Sequence, residues 1–342
     1  MIVMKWYEMN GNGHDVVISS RVRLARNLED FPFTPKLDAE TSKKIAEKVV
    51  SALKVGLGKE LTLTDMRLPE AKKRLLLEDH LVSPDFCSDS PLERILVTDE
   101  TGNLAVMINE EDHVRIQSIY PGLALEKAYE TASHTDDVLS ESVTLAFDET
   151  LGFLTACPTN LGTGLRASVM LHLPAMSAYG YIKSLAALMT KIGLTVRGMY
   201  GEGSEALGCL YQLSNQVTLG LSEKDAIDKL TSAVKQIVAK ERELRSQMLT
   251  DKNGATADKL WRSFGTLKYA RRLDTAEAAR LISNVRFGAV CGIIPEAENI
   301  NLVQLLFSVM PAHVLEKYPD AVKPEKRDAR RADYVRSVFA GK

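Results

Sequence analysis

The stretch Cys157-Pro158-Thr159-Asn160-Leu161-Gly162-Thr163-Gly164-Leu165-Arg166 puts a thiol, a glycine-rich turn and an arginine within one short segment. The thiol immediately precedes a proline and the turn, a position in which a cysteine is open to a ligand. Three other stretches carry charge of the same kind. Ser19-Ser20-Arg21-Val22-Arg23 lies upstream, Asn109-Glu110-Glu111-Asp112-His113-Val114-Arg115 in the middle, and Arg197-Gly198-Met199-Tyr200-Gly201-Glu202 downstream. Arg21 and Arg23 are two apart, so an extended segment places both on one face. Neither GxGxxG nor GxxxxGK[ST] occurs, so a phosphate ligand must be held by something other than a glycine cradle.

Around these stretches the pattern is that of hairpins and amphipathic helices. Apolar residues at helical spacing predict a helix over Thr41–Val55. Arg94–Val97 and Leu104–Ile108 are short β-prone runs joined by the turn sequence Asp99-Glu100-Thr101-Gly102-Asn103. Val114–Tyr120 continues as a strand, and Leu123–His134 as a helix. Val143–Phe147 and Gly152–Ala156 form a second expected hairpin. Ala167–Leu173, Leu194–Met199 and Cys209–Leu213 are further strands, and Tyr179–Ile192 a helix. Ser222 opens a long helix running to about Met248, with Asp225 placed for a capping box. Consecutive hairpins predict an α+β fold, an antiparallel sheet flanked by helices. A composition shift at Thr250-Asp251-Lys252-Asn253-Gly254 divides residues 1–248 from a smaller helical domain over 249–342. Its expected helices are Ala257–Leu273, Thr275–Asn284, Asn299–Met310 and Lys326–Phe339.

The 342 residues suffice for two domains with their own cores. A net charge of -2 gives no reason to expect nucleic-acid or membrane binding. Without an apolar run of membrane length or a signal-peptide core, the expected location is the cytoplasm. The four cysteines are scattered and form no CxxC, so neither a zinc site nor a disulfide framework is indicated.

Taken in order and spacing, the four quoted stretches resemble the nucleotide and guanidine site of the phosphagen (guanidino) kinases, from about Asp15 to about Glu243. The resemblance implies ATP with Mg2+ held mainly by its phosphates, and no protein metal centre. It places Arg21, Arg23, Arg115, Arg166 and Arg197 on the phosphates. Arginine suits that task because its planar, permanently charged fork pairs with phosphate oxygens. The rest of the nucleotide pocket falls to Ser19, Ser20, Val22, His80, the backbone of Arg166, Ala167, Ser168, Val169 and Met170, and the run Gly198, Met199, Tyr200, Gly201 and Glu202. His80 would contact adenine or ribose. Glu111 would orient the acceptor guanidinium and take its proton, with Glu110 assisting around magnesium. Cys157 would sit beside the acceptor nitrogen, and Glu202 on a closing loop between glycines.

Two departures separate the chain from kinases of small guanidines. Only eighteen residues precede Ser19, where those enzymes carry a helical domain that closes over the acceptor, and Met107 and Met170 replace their usual Trp and His. An open acceptor site suits an arginine presented on another protein. Arg327-Asp328-Ala329-Arg330-Arg331-Ala332 resembles the RDxxRA motif of the bacterial protein-arginine kinases, in which Arg327, Asp328, Arg331 and Ala332 would form a second, allosteric phosphoarginine site. The resemblance therefore implies phosphorylation of protein arginine, in stress response and protein quality control. It also implies a Clp-type unfoldase and protease, a heat-shock repressor as substrate, an activator protein and a homodimer. A free-arginine phosphagen kinase and a non-catalytic phosphoarginine reader are the alternatives.

Overall fold

The structure is a computed structural model that describes residues 5–58, 60–198, 206–250 and 253–341. In chain order the first half comprises β1 (Val17–Arg26), α1 (Ala39–Gly56), β2 (Leu61–Asp65), α2 (Glu70–Glu78), α3 (Pro84–Cys87), β3 (Ile95–Asp99), β4 (Leu104–Ile108), β5 (Val114–Pro121), α4 (Leu125–Ser142), and the two-residue strands β6 (Phe147–Asp148) and β7 (Gly152–Phe153). The second half comprises β8 (Leu165–His172), α5 (Pro174–Ala178), α6 (Ile182–Lys191), β9 (Leu194–Gly198), β10 (Leu210–Asn215), and α7 (Glu223–Leu249). Five helices end the chain: α8 (Ala255–Tyr269), α9 (Thr275–Val290), α10 (Leu302–Ser308), α11 (Pro311–Lys317) and α12 (Pro324–Phe339).

Eight strands form one antiparallel sheet in the order β2-β3-β4-β5-β1-β8-β10-β9. Strand β1 is central, paired on one side with β5 and on the other with β8. The register sets Arg23 opposite Gln117 on β5 and opposite Arg166 on β8. Alternation then sorts the faces. Val22, Leu24, Val106, Ile116, Ala167 and Val169 enter a core closed by α1, α4, α6 and α7. Arg21, Arg23, Arg115, Arg166 and Arg197 belong to the other set and leave that core.

That second face is walled on two sides. Met66, Val82, Phe86, Leu96, Ala105 and Met107 pack a small cluster beneath the α2–α3 segment. On the other side the C-terminal helices share a core with Trp6, Tyr7, Ile18, Ile119, Met170 and Leu210. The helical region is thus seated on the sheet rather than strung beside it. A buried polar seam reinforces the contact. Arg245 donates to Glu241, to the Asp15 carbonyl and to the His172 carbonyl. Arg286 of α9 donates to His172 Nδ1 and to the carbonyls of Asp15 and His14. Since Nδ1 accepts, the ring proton of His172 sits on Nε2 and is donated to Ser283.

Capping fixes several helix starts. Asp38, Ser222 and Asp274 each accept from the backbone N–H three residues on. Two expectations are corrected. Helix α4 runs to Ser142, eight residues past His134. The expected hairpin Val143–Ala156 keeps only the pairs Phe147–Phe153 and Asp148–Gly152. Its base is drawn instead onto β1, where Ala146 donates to the Asn27 carbonyl and the Arg26 guanidinium lies 3.5 Å over the Phe153 ring.

Three histidines are held neutral by burial: His80, pushed down to about 3, His113 and His172. Unfolded, each binds a proton near 6.5; folded, each does so only at lower pH. Unfolding therefore takes up protons below 6.5, and acid lowers stability, by as much as about 1.4 kcal/mol per histidine per pH unit. Urea midpoints should fall steadily from about pH 6.5 to about pH 5, before carboxylates titrate. A flat profile over that interval would contradict the neutral assignment.

Candidate active site

Repulsion dominates the open face of the sheet. Arg21, Arg23, Arg166 and Arg197 line a cavity of about 280 Å³ with His80, Val82, Ser83, Met107, Gln117 and Gln212 among its walls. Arg21 donates weakly to Ser168 and to Gln212. Loss of solvent, with Arg115 and Arg166 nearby, brings Arg21 down to about 10. The same causes, with Arg21 added, hold Arg23 well below its ordinary value. The Arg23 Nε is shut from solvent and has no hydrogen-bond partner. Such a cluster is costly without an anion and matches a polyphosphate, whose charge is spread over many oxygens.

Carboxylates approach from the β4–β5 connection. Asn109 turns the chain with a φ of 61°, and its side chain donates to the carbonyls of Ser42 and Glu93. Glu110 is buried; it accepts from Ser83 and takes two hydrogen bonds from Arg115 at 2.6 and 2.8 Å. Burial opposes its ionisation, but Arg115, Ser83 and the Glu111 N–H outweigh this and hold it below the usual carboxylate range. Glu111 moves the other way. Burial first, then the charges of Asp112 and Glu110, raise it against the pull of Arg115 and a hydrogen bond with Cys157. Its side chain stays 40% exposed. A carboxylate of raised basicity at the rim of a cationic cavity is placed to take a proton.

The Cys157 segment is tied to this tip by Asp112, whose Oδ1 accepts from Asn27 and from the Ala156 N–H at 2.7 Å each. Asp112 therefore positions the loop instead of facing an acceptor. Cys157 Sγ lies 3.0 Å from Thr159 Oγ1. The turn beyond it is strapped by Thr218, which donates to the carbonyls of Thr159 and Leu161. Gly162, at a φ of 99°, allows this approach; a Cβ there would stand 2.4 Å from the Thr218 carbonyl oxygen.

The structure brings Ser19, Arg21, Arg23, His80, Arg115, Arg166, Ser168, Met170 and Arg197 to one face, with Glu110, Glu111 and Cys157 at its edge. Ser20, Val22, Ala167 and Val169 turn their side chains away. Ser20 donates to the Gly122 carbonyl and accepts from the Ala124 N–H, while the other three fill the core. Gly198 ends β9. Met199, Tyr200, Gly201 and Glu202 lie outside the described residues. Sequence reading passed over Ser83, Gln117 and Gln212. Gln117 was within reach of period-two alternation from Arg115, but Ser83 meets Glu110 only through the tertiary fold.

The C-terminal motif divides. Arg331 is 1% exposed and works inward: Nε donates to the Val309 carbonyl, and Nη1 to the Leu273 carbonyl and Asp328, each at 2.7 Å. Ala332 is fully buried. Arg331, expected at a phosphoryl group, here makes these internal bonds through Nε and Nη1, as a buried guanidinium must satisfy its donors. Arg327 remains toward the surface and reaches the Val322 carbonyl.

Fold and cavity together define an ATP:guanidine phosphotransferase. Residues 41–244 match the family described as ATP:guanido phosphotransferase, C-terminal catalytic domain. Residues 253–342 match the protein-arginine kinase McsB C-terminal domain. The chain is 42% identical over 333 residues to a protein-arginine kinase of Halothermothrix orenii, covering 97% of this chain and 95% of that one. It is 42% identical over 338 residues to one of Geobacillus stearothermophilus, covering 98% and 93%. Among solved structures, the duplicated taurocyamine kinase of Schistosoma mansoni with bound transition-state analogue components superposes with a TM-score of 0.62 at 32% identity, over 76% of this chain and 38% of that longer one. Lombricine kinase has the same fold, with a TM-score of 0.61 at 24% identity over 70% and 71%. The chain belongs to the protein-arginine kinase family and is a phosphotransferase.

Replacing Glu111 by Gln should lower turnover about 100- to 10,000-fold while ATP binding survives. The acid limb of kcat/KM in the wild type should lie above the ordinary carboxylate value of 4.5, because the raised Glu111 must be deprotonated to act. Near-normal turnover in the variant removes Glu111 from the chemistry. Arg23→Met should stabilise the ligand-free protein by on the order of 1 kcal/mol while weakening ATP binding at least about tenfold. Paired unfolding and binding measurements check both signs.

Proposed function

We propose that this enzyme transfers the γ-phosphoryl group of ATP to arginine side chains of proteins, giving ADP and Nω-phosphoarginine. The carrying observation is the open rim: Glu111 stands 40% exposed beside the half-buried Cys157, where a guanidinium on a protein surface can reach it. The names of the relatives, which match nearly the whole chain, support the same acceptor.

In this reading Arg21, Arg23, Arg166 and Arg197 hold the triphosphate, while Glu110 pins Arg115 alongside. Magnesium, bound mainly by the phosphates, would neutralise charge there. Glu111 accepts a proton from the acceptor guanidinium. The freed nitrogen lone pair attacks the γ-phosphorus, and the bond to the β-bridging oxygen breaks toward ADP. The arginines are already oriented, so they stabilise the developing charge without reorganising. Cys157, hydrogen-bonded to Glu111, helps orient the acceptor.

Residues 249–342 are proposed as a regulatory domain in which Arg327 and Asp328 meet phosphoarginine, with Arg331 and Ala332 supporting them from inside. A homodimer through these helices, an activator, a heat-shock repressor as substrate and delivery to a Clp-type protease in the cytoplasm belong to the same proposal, supported by the RDxxRA resemblance. No helix among the described residues is long and apolar enough to cross a membrane. Incubation with ATP-magnesium and a protein substrate should yield acid-labile phosphate on arginine by mass spectrometry, at a rate well above that with free arginine. Efficient saturable turnover of free arginine would select the small-guanidine reading instead.

A further inference from the structure

The last residues of α2 and the turn after it bind the helical domain on one side and the nucleotide cavity on the other. Glu78 accepts from the backbone N–H groups of Ala312 and His313, at the start of α11. Asp79 accepts from the Tyr7 hydroxyl at 2.6 Å and from Lys5. Its Oδ1 lies 3.0 Å from His313 Nε2, off the axis of an aligned hydrogen bond, so the contact is one of proximity. The Asp79 carbonyl accepts from Trp6 Nε1.

His80 follows with a φ of 59°, a left-handed conformation that residues with a side chain rarely adopt. Two things over-determine it. Gln117 donates to its carbonyl at 2.7 Å, and its ring meets Trp6 and Phe307 edge-on, with centroids 6.1 and 5.7 Å away. Phe307, on α10, is fully buried and stacks on Tyr7 at 4.8 Å. One wall of the cavity is therefore a side chain whose position is set by rings and backbone groups far away in the chain.

We propose that Phe307 and the α11 start, gripped by Glu78, are positioning elements for the nucleoside end of the cavity: they hold His80 in place, so nucleoside affinity depends on how the C-terminal helices are seated. His80 stands beside Arg21 in the cavity wall, while its ring is seated against Trp6 and Phe307. The effect therefore falls first on the part of the ligand that His80 faces. The inference rests on the reading of the cavity as a nucleotide site.

Calorimetry on the full chain separates the possibilities, with ADP and inorganic tripolyphosphate as probes, both with magnesium. In Phe307→Leu the ADP Kd should rise about five- to tenfold, and in His313→Gln about threefold. Tripolyphosphate, which lacks a base, should bind all variants within about twofold of wild type. If Phe307→Leu does not fold, Glu78→Gln and His313→Gln carry the comparison. Unchanged ADP affinity across the variants overturns the proposal. So does equal weakening of both probes, which would be general loosening of the sheet, and so does a wild type that fails to prefer ADP. A wild type that binds neither probe overturns the nucleotide reading itself.

Discussion

Like charges held on one face of a β-sheet are the constraint around which this molecule is arranged. Burial first, then the charges of Arg115 and Arg166 on adjacent strands, lower the proton affinity of Arg21 and Arg23, and Arg23 keeps a buried donor without a partner. The opposite face bears the burden of holding them there. A continuous aliphatic core, closed by α1, α4, α6 and α7, fixes the register that puts the arginines side by side. A cationic cluster of this kind is costly in the ligand-free protein and is offset by a bound anion. Preorganised positive charge of that kind contributes to catalysis without rearrangement during the reaction.

Glu110 and Glu111 are adjacent in the chain yet have opposite electrostatic fates. Ser83 and Arg115 claim Glu110 and keep it ionised, whereas partial burial, and then its acidic neighbours, give Glu111 greater basicity. Asp112, the next residue, is spent on backbone and amide groups that carry the cysteine loop. Three consecutive acids thus divide into an ion-pair anchor, a carboxylate of raised basicity and a structural tie.

Much of this was legible in the chain, for physical reasons that can be named. Arg21 and Arg23 announce a shared face through period two, and the turn Asp99–Asn103 announces a hairpin, because both are local. Ser222 caps α7 as expected for the same reason. What stayed hidden was long-range. Strand β2 is an exposed edge, and its Leu-Thr-Leu-Thr-Asp pattern pairs with β3 without a buried face to declare it. His80 looks like a helix-end surface residue until Trp6 and Phe307 close over it. Arg331 reads, through the RDxxRA resemblance, as a phosphoarginine contact, and only the packing of α12 shows it also serving as an internal brace. The helical region reads as a separate unit because composition changes at its border, whereas Ile18, Ile119, Met170 and Leu210 show it sharing apolar surface with the sheet.

The contact between the Lys5–Tyr7 segment and residues 301–313 bears on the order in which the protein is made. Asn301 donates to the Tyr7 carbonyl, and Phe307 packs against both Trp6 and Tyr7. These partners leave the ribosome some three hundred residues after the segment they secure. Synthesis proceeds from the N-terminus, and domains fold as units during it. The sheet can therefore pair its strands while Trp6, Ile18 and Met170 still lack their cover. During that interval the nascent chain shows apolar surface and a half-built nucleotide wall. Emergence of α10 and α11 supplies the cover for both, so the same helices that bury Trp6 also complete the surroundings of His80.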